Sequence, residues 1–164
     1  MKHAVPLALL FCSATAFASD GTITFTGAIT DTACTISTND VTVDFGTVAA
    51  SAFAAKGDST GGRAFQLTLT NCPFESATVR FDGNADAEGK LFKVDSGTGK
   101  ASDVGIAIYD ANNLQVLPNT PSSAYTLSKT AANTLNFSAK LQSTAATVTA
   151  GDISATSNFT IVYP

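Results

Sequence analysis

The sequence has no tryptophan, one methionine, one histidine and three cysteines among its 164 residues, and only 13% of it is charged. The lone histidine, His3, sits in a stretch built like a secretory signal. Met1-Lys2-His3 carries positive charge, Val5 to Phe11 is a short apolar run, and Ala16-Phe17-Ala18 is a small-x-small cleavage site. That run is too short to cross a bilayer. Residues 1–18 are therefore read as a signal peptide, and its removal leaves a chain with no histidine and two cysteines. Ser–His–Asp and Cys–His catalysis cannot then be built, and a zinc site is disfavoured. The remaining carboxylates lie in turn-like surroundings, so neither an enzyme, a cofactor nor a small-molecule substrate is expected. Basic runs are missing too. With 8 basic against 13 acidic residues after cleavage, the chain is ill suited to nucleic acid or an anionic membrane surface.

Two cysteines in an exported chain point to a disulfide made in an oxidising compartment, and Cys34 and Cys72 are the available pair. Such a bridge closes a 38-residue loop, worth about 4 kcal/mol if disulfides act by restricting the unfolded chain.

What the sequence does have is period-two alternation, rich in Thr, Ala, Ser, Val and Phe and broken by Gly, Asn, Asp and Pro. This is the pattern of an all-β protein. Gly21 to Ile29 alternates strictly, which puts Ile23, Phe25 and Ile29 on one face and the threonines on the other. Further strands are expected over Val41–Phe45, Ala64–Thr70, Ala77–Phe81, Lys90–Val94, Val104–Tyr109, Leu114–Val116, a long run through Leu135, Phe137, Ala139 and Leu141, and a last one through Phe159, Ile161 and Tyr163. Residues 47–62 read as a loop or short helical turn. Asp110-Ala111-Asn112-Asn113 reads as a hairpin turn, and Pro118 to Ser123 as a loop in which two prolines exclude a central strand. Strands at this spacing suggest an immunoglobulin-like Greek-key sandwich. The run from Asp82 to Asp86 opens like a calcium loop, but Ala87 stands where the turn glycine belongs and Lys93 where the bidentate glutamate belongs, so turn chemistry is the better account.

The final strand carries a strong apolar face, and no charged residue occurs from Thr156 to Tyr163. An apolar strand edge without charge is a template for pairing. Either the N-terminal strand covers it within the molecule, or the edge is meant for another chain.

In these features the chain resembles the pilins of chaperone–usher fimbriae, in particular type 1-like structural subunits. The resemblance rests on Gly21-Thr22-Ile23-x-Phe25-x-Gly27-x-Ile29, the two cysteines, an alternating C-terminus with penultimate Tyr163, and a glycine fourteen residues from the end, Gly151. It covers residues 19–164. It implies an incomplete immunoglobulin-like sandwich that lacks its last strand, with residues 19–29 as a donor-strand extension and 30–164 as the pilin domain. By the same resemblance Ile23, Phe25, Gly27 and Ile29 form the donor face, while Gly151, Phe159, Ile161, Tyr163 and Pro164 belong to the acceptor groove and C-terminal strand. Pro164 would offer its carboxylate to the chaperone. The implied partners are copies of itself and other pilins in a head-to-tail polymer, a periplasmic chaperone and an outer-membrane usher. The implied location is a surface fimbria reached through the periplasm. A length of 164 residues leaves little room for a separate receptor-binding domain, and a rod subunit is favoured over a tip or adaptor subunit. The rival reading is a monomeric secreted or periplasmic β-sandwich binding protein whose N-terminal strand pairs within its own molecule.

Overall fold

The computed structural model describes residues 23–27 and 33–164. The signal peptide expected at 1–18 and Ile29 lie outside the described residues. The chain divides into two units, Met1–Thr30 and Asp31–Pro164. In the first, Ile23 and Phe25 are 80% and 90% exposed, and residues 23–27 hold no strand. Alternation confers a two-faced pattern, but a strand also needs a ladder partner.

Among the described residues the second unit has nine strands: β1 (Thr35–Ile36), β2 (Ser59–Thr70), β3 (Ser76–Asp82), β4 (Phe92–Lys93), β5 (Val104–Asp110), β6 (Gln115–Val116), β7 (Tyr125–Thr126), β8 (Asn133–Ser143) and β9 (Asn158–Val162). One sheet runs β1-β2-β8-β5-β4 with β6 paired to β5, and the other runs β7-β3-β9. These strands all pair antiparallel. β2 and β8 form the spine, in a register that sets Phe65 opposite Phe137 and Leu67 opposite Leu135. Leu67, Leu69, Leu135 and Phe137 from this sheet meet Ala77, Val79 and Phe81 from the other in one buried cluster, with Phe159, Ile161 and Tyr163 packed against it. The alternating residues thus point into one shared core, the arrangement of a two-sheet sandwich. Phe65, Phe81 and Phe137 contact one another at ring-centroid distances of 5.1 to 5.9 Å. A second cluster holds Phe53, Val94, Ala101, Val104 and Leu141.

The expected Cys34–Cys72 disulfide is present. So is the hairpin turn after β5, where Asp110 N–H donates to the Leu114 carbonyl and Asn113 N–H to that of Asp110, both at 2.9 Å. Four expectations change. The strand expected at Lys90–Val94 contracts to Phe92–Lys93. β2 starts at Ser59, inside the expected 47–62 loop, and a β-bulge between Thr60 and Arg63 absorbs Gly61-Gly62; the glycines hid this strand because in sequence they signal a break. Two two-residue strands, β1 and β7, are too short to show a period. Finally, Val41–Phe45 is not a strand, although its alternation is clean.

Candidate functional site

β9 is an edge strand. It pairs with β3 from Thr78↔Val162 to Asp82↔Asn158, and no described strand pairs with its other side. Beside that free edge lies an open groove of about 180 Å³. Ala155, Thr156, Ser157 and Phe159 form one wall, and Val41, Val43 and Phe45 form the other. The floor consists of Phe65, Leu67, Ala139, Ile106 and Ile108 from the larger sheet, with Phe81 and Phe92. Most of these floor residues belong to the hydrophobic core, so the groove is a place where the core is reached from outside.

Among the described residues, the main chain of Val41–Phe45 receives hydrogen bonds only from Arg63: Nε donates to the Asp44 carbonyl at 2.9 Å and Nη2 to the Phe45 carbonyl at 3.0 Å. The Asp44 carboxylate turns inward on its own segment and accepts the Gly46 N–H at 2.8 Å, with Gly46 in the left-handed region at φ 64°. On both sides of the groove, then, main-chain groups lack backbone partners among the described residues along an apolar cleft. Such edges pair with an added strand, the main chain supplying affinity and alternate side chains entering the cleft.

Electrostatics around the groove is sparse. On β3, the Arg80 side chain donates to the Asp82 carboxylate at 2.7 and 3.2 Å. Chiefly through that hydrogen bond, the Asp82 carboxyl is held below its ordinary pKa, against the opposing effect of desolvation. Thr160 of β9 adds its hydroxyl to the same carboxylate at 3.2 Å.

The residues singled out from sequence divide among three places. Phe159 lines the groove. Ile161 and Tyr163 continue the same face of the chain onto the core; Tyr163 stacks on Phe74 at 4.4 Å and its hydroxyl accepts the Cys34 N–H at 3.1 Å. Pro164 is exposed. Gly151 is not among the groove residues: it lies in the β8–β9 connection, where a Cβ would stand 2.4 Å from the Lys100 carbonyl carbon and 2.5 Å from the Ala101 nitrogen. Gly27, in the separate N-terminal unit, has nothing within 4 Å of where a Cβ would stand. Sequence reasoning missed the Val41, Val43 and Phe45 wall. Its signal is present as alternation, which reads equally well as a strand paired within a sheet. Of the two aspartates of the calcium-like run, Asp86 serves a turn, its Oδ1 accepting the N–H groups of Lys90 and Leu91 at 2.7 and 3.0 Å, while Asp82 pairs with Arg80 on β3.

An immunoglobulin-like sandwich left open along one edge beside its last strand is the incomplete fold of pilus subunits. The Fimbrial protein family matches residues 23–164, and the chain belongs to that family. It is 38% identical over 165 residues to the probable major fimbrial subunit LpfA of Escherichia coli O157:H7, covering 95% of this chain and 92% of that one. Among solved structures, the antigen and type I fimbria protein of Burkholderia pseudomallei is similar at 34% identity with a TM-score of 0.64, over 82% of this chain and 91% of that one. A chaperone–usher pilus structure shares the fold, with a TM-score of 0.67 at 24% identity over 93% of this chain and 100% of that one. The protein is a fimbrial structural subunit of the cell surface and not an enzyme.

Proposed function

We propose that this subunit polymerises by donor-strand exchange: the segment 19–29 of one copy enters the groove of the next, pairs with the free edge of β9 and places Ile23, Phe25 and Ile29 on the apolar floor. The observation that carries the reading is the groove itself, open along an edge strand and floored by core residues. The exposure of Ile23 and Phe25 in the separate N-terminal unit supports it, because large apolar side chains on a soluble chain favour a partner surface. Burying three such side chains at about 1.5–3 kcal/mol each gives about 5–9 kcal/mol before ordering costs, and ladder hydrogen bonds add to it. Insertion is head-to-tail, which yields open fibres instead of closed dimers. Gly27 is where bare backbone passes closest to the groove, and Tyr163 and Pro164 lie at the C-terminal end that a periplasmic chaperone holds before an outer-membrane usher directs exchange. A rod role is favoured by the likeness to a major subunit.

Electrophoresis of unheated protein tests this. Exchange predicts a ladder of detergent-resistant oligomers that collapses on boiling, and Gly27→Asn depletes the ladder while leaving the melting temperature of the domain unchanged. A lone monomer band from unheated wild-type protein favours the self-contained sandwich instead.

A further inference from the structure

We infer that Arg63 is the positioning residue for the second wall of the groove, a latch that fixes Val41–Phe45 beside the cleft for an incoming strand. The inference rests on the strand-accepting reading above. Each groove wall needs something to fix it. β9 is fixed by its ladder with β3. Among the described residues Val41–Phe45 has no ladder, and its main chain is held by the Arg63 guanidinium alone, at 2.9 and 3.0 Å. A guanidinium presents several donors in one rigid plane, so it can span two successive carbonyls, which an ammonium cannot do in the same way.

The local sequence builds the latch. The β-bulge between Thr60 and Arg63 places two β2 residues, Gly61 and Gly62, against Lys140 of β8, and a bulge re-aims the side chains next to it. Gly61 has φ 69°, and a Cβ there would stand 3.6 Å from Phe45 Cδ1 and 3.5 Å from Val48 Cγ2. The bulge thus presents a bare surface against Phe45, while Arg63 two residues on takes the carbonyls of Asp44 and Phe45. Those two carbonyls mark the end of the wall, because Gly46 turns the chain away with its left-handed φ. An incoming strand finds the wall open at Val41–Val43 and closed by Arg63 beyond it.

The experiment uses the exported chain and a fluorescent synthetic peptide of residues 19–29, with hydrogen–deuterium exchange on the peptide-loaded protein. Arg63→Ala should weaken peptide capture about tenfold, a change of about 1.4 kcal/mol, and remove the protection that peptide brings to residues 41–45 while leaving that at 158–162. Arg63→Lys should fall between the two, and it keeps the test decisive if the alanine variant folds poorly. Wild-type capture and protection in both variants overturn the latch alone. A parallel loss of capture, β9 protection and thermal stability, unrelieved by lysine, also overturns it, because Arg63 is then merely part of the fold. If the wild-type protein captures no peptide, the strand-accepting reading falls and the latch falls with it.

Discussion

The backbone N–H of Cys34 donates to the phenolic oxygen of Tyr163 at 3.1 Å, across a sequence separation of 129 residues. The same tyrosine stacks on Phe74 at 4.4 Å, and Cys34 is bonded to Cys72. The end of the chain is therefore tied to the disulfide region by one hydroxyl and one ring, just past the strand that borders the groove. The two contributions are separable. Tyr163→Phe removes the hydrogen bond and keeps the ring, and should cost about 0.5–1.5 kcal/mol. Tyr163→Ala removes both and should cost more than the phenylalanine variant. Denaturant titration with the disulfide intact reads the difference, and equal stability of the two variants would show that the hydroxyl carries the whole effect.

Ala155 offers a way to close the groove without disturbing the fold. It is exposed and lines the wall beside β9, so a large side chain there has somewhere to go other than into packed core. Ala155→Trp should fill part of the 180 Å³ cleft and leave stability within about 0.5 kcal/mol, as surface changes usually do. Oligomers on unheated gels should be lost or sharply reduced. A normal ladder from a normally folded variant would mean that strands do not enter here.

How far the sequence discloses this site depends on the kind of information each residue carries. Period-two alternation finds the long strands: β3 and β8 each bury one face, and β9 half-buries Phe159 and Ile161 on one side, whereas β5 is buried on both faces and shows as an apolar run. It also finds Val41–Phe45, but alternation reports only that a segment suits a pleated surface, not whether a neighbour is there to pair with it. The same limit applies to residues 23–27. β2 was legible only from Ala64 on, because a bulge that uses Gly61-Gly62 looks like a loop. Phe159 was legible as a groove residue only through the resemblance to pilins; its uncharged terminal strand by itself marks no more than an edge open to pairing. Phe65, Ile106 and Ala139 were legible as strand residues but not as groove floor, because their place there depends on which strands of the larger sheet lie beneath β9.

Gly151 shows the difference between a position in sequence and a position in space. Counting back from the C-terminus groups it with the last strand, yet its nearest neighbours are the backbone atoms of Lys100 and Ala101. Ala101 N–H donates to the Asp152 carbonyl at 3.0 Å and Asp152 N–H to the Gly99 carbonyl at 2.9 Å, so this crossing is stitched on both sides and has little freedom to part. Gly151→Ala should therefore destabilise the domain by about 1–3 kcal/mol, the usual range for overpacking, or more. Thermal melting measures the loss. If the residue instead acts at the groove, melting stays at the wild-type value and only strand capture suffers.

The last prediction concerns acid. Asp110 is a buried carboxylate, 5% exposed, at the turn after β5. Burial works to raise its pKa, but the Ser123 hydroxyl and the backbone N–H groups of Leu114 and Asn112 work to lower it, and the net result lies below the ordinary value. Asn112 and Leu114 donate at 2.9 and 3.0 Å. Tyr125, whose hydroxyl accepts the Ala111 N–H at 3.2 Å, has its own pKa raised, first by burial and further by the Asp110 charge, so it stays neutral throughout the acid range. Because the folded pKa of Asp110 is depressed, its stabilisation is fully present above the unfolded value, near 3.9, and is lost as pH falls toward the folded value. Asp110→Asn keeps an oxygen for the turn amides but gives up the charge, and should cost about 1–3 kcal/mol at pH 7. The gap between variant and wild type should narrow as the pH is lowered from about 5 to below the folded pKa, because protonation takes from the wild type what the mutation has already removed. Denaturation midpoints at pH 7, 5 and 3 read this directly. A gap that stays constant across that range assigns the loss to the shape of the turn instead of the carboxylate charge.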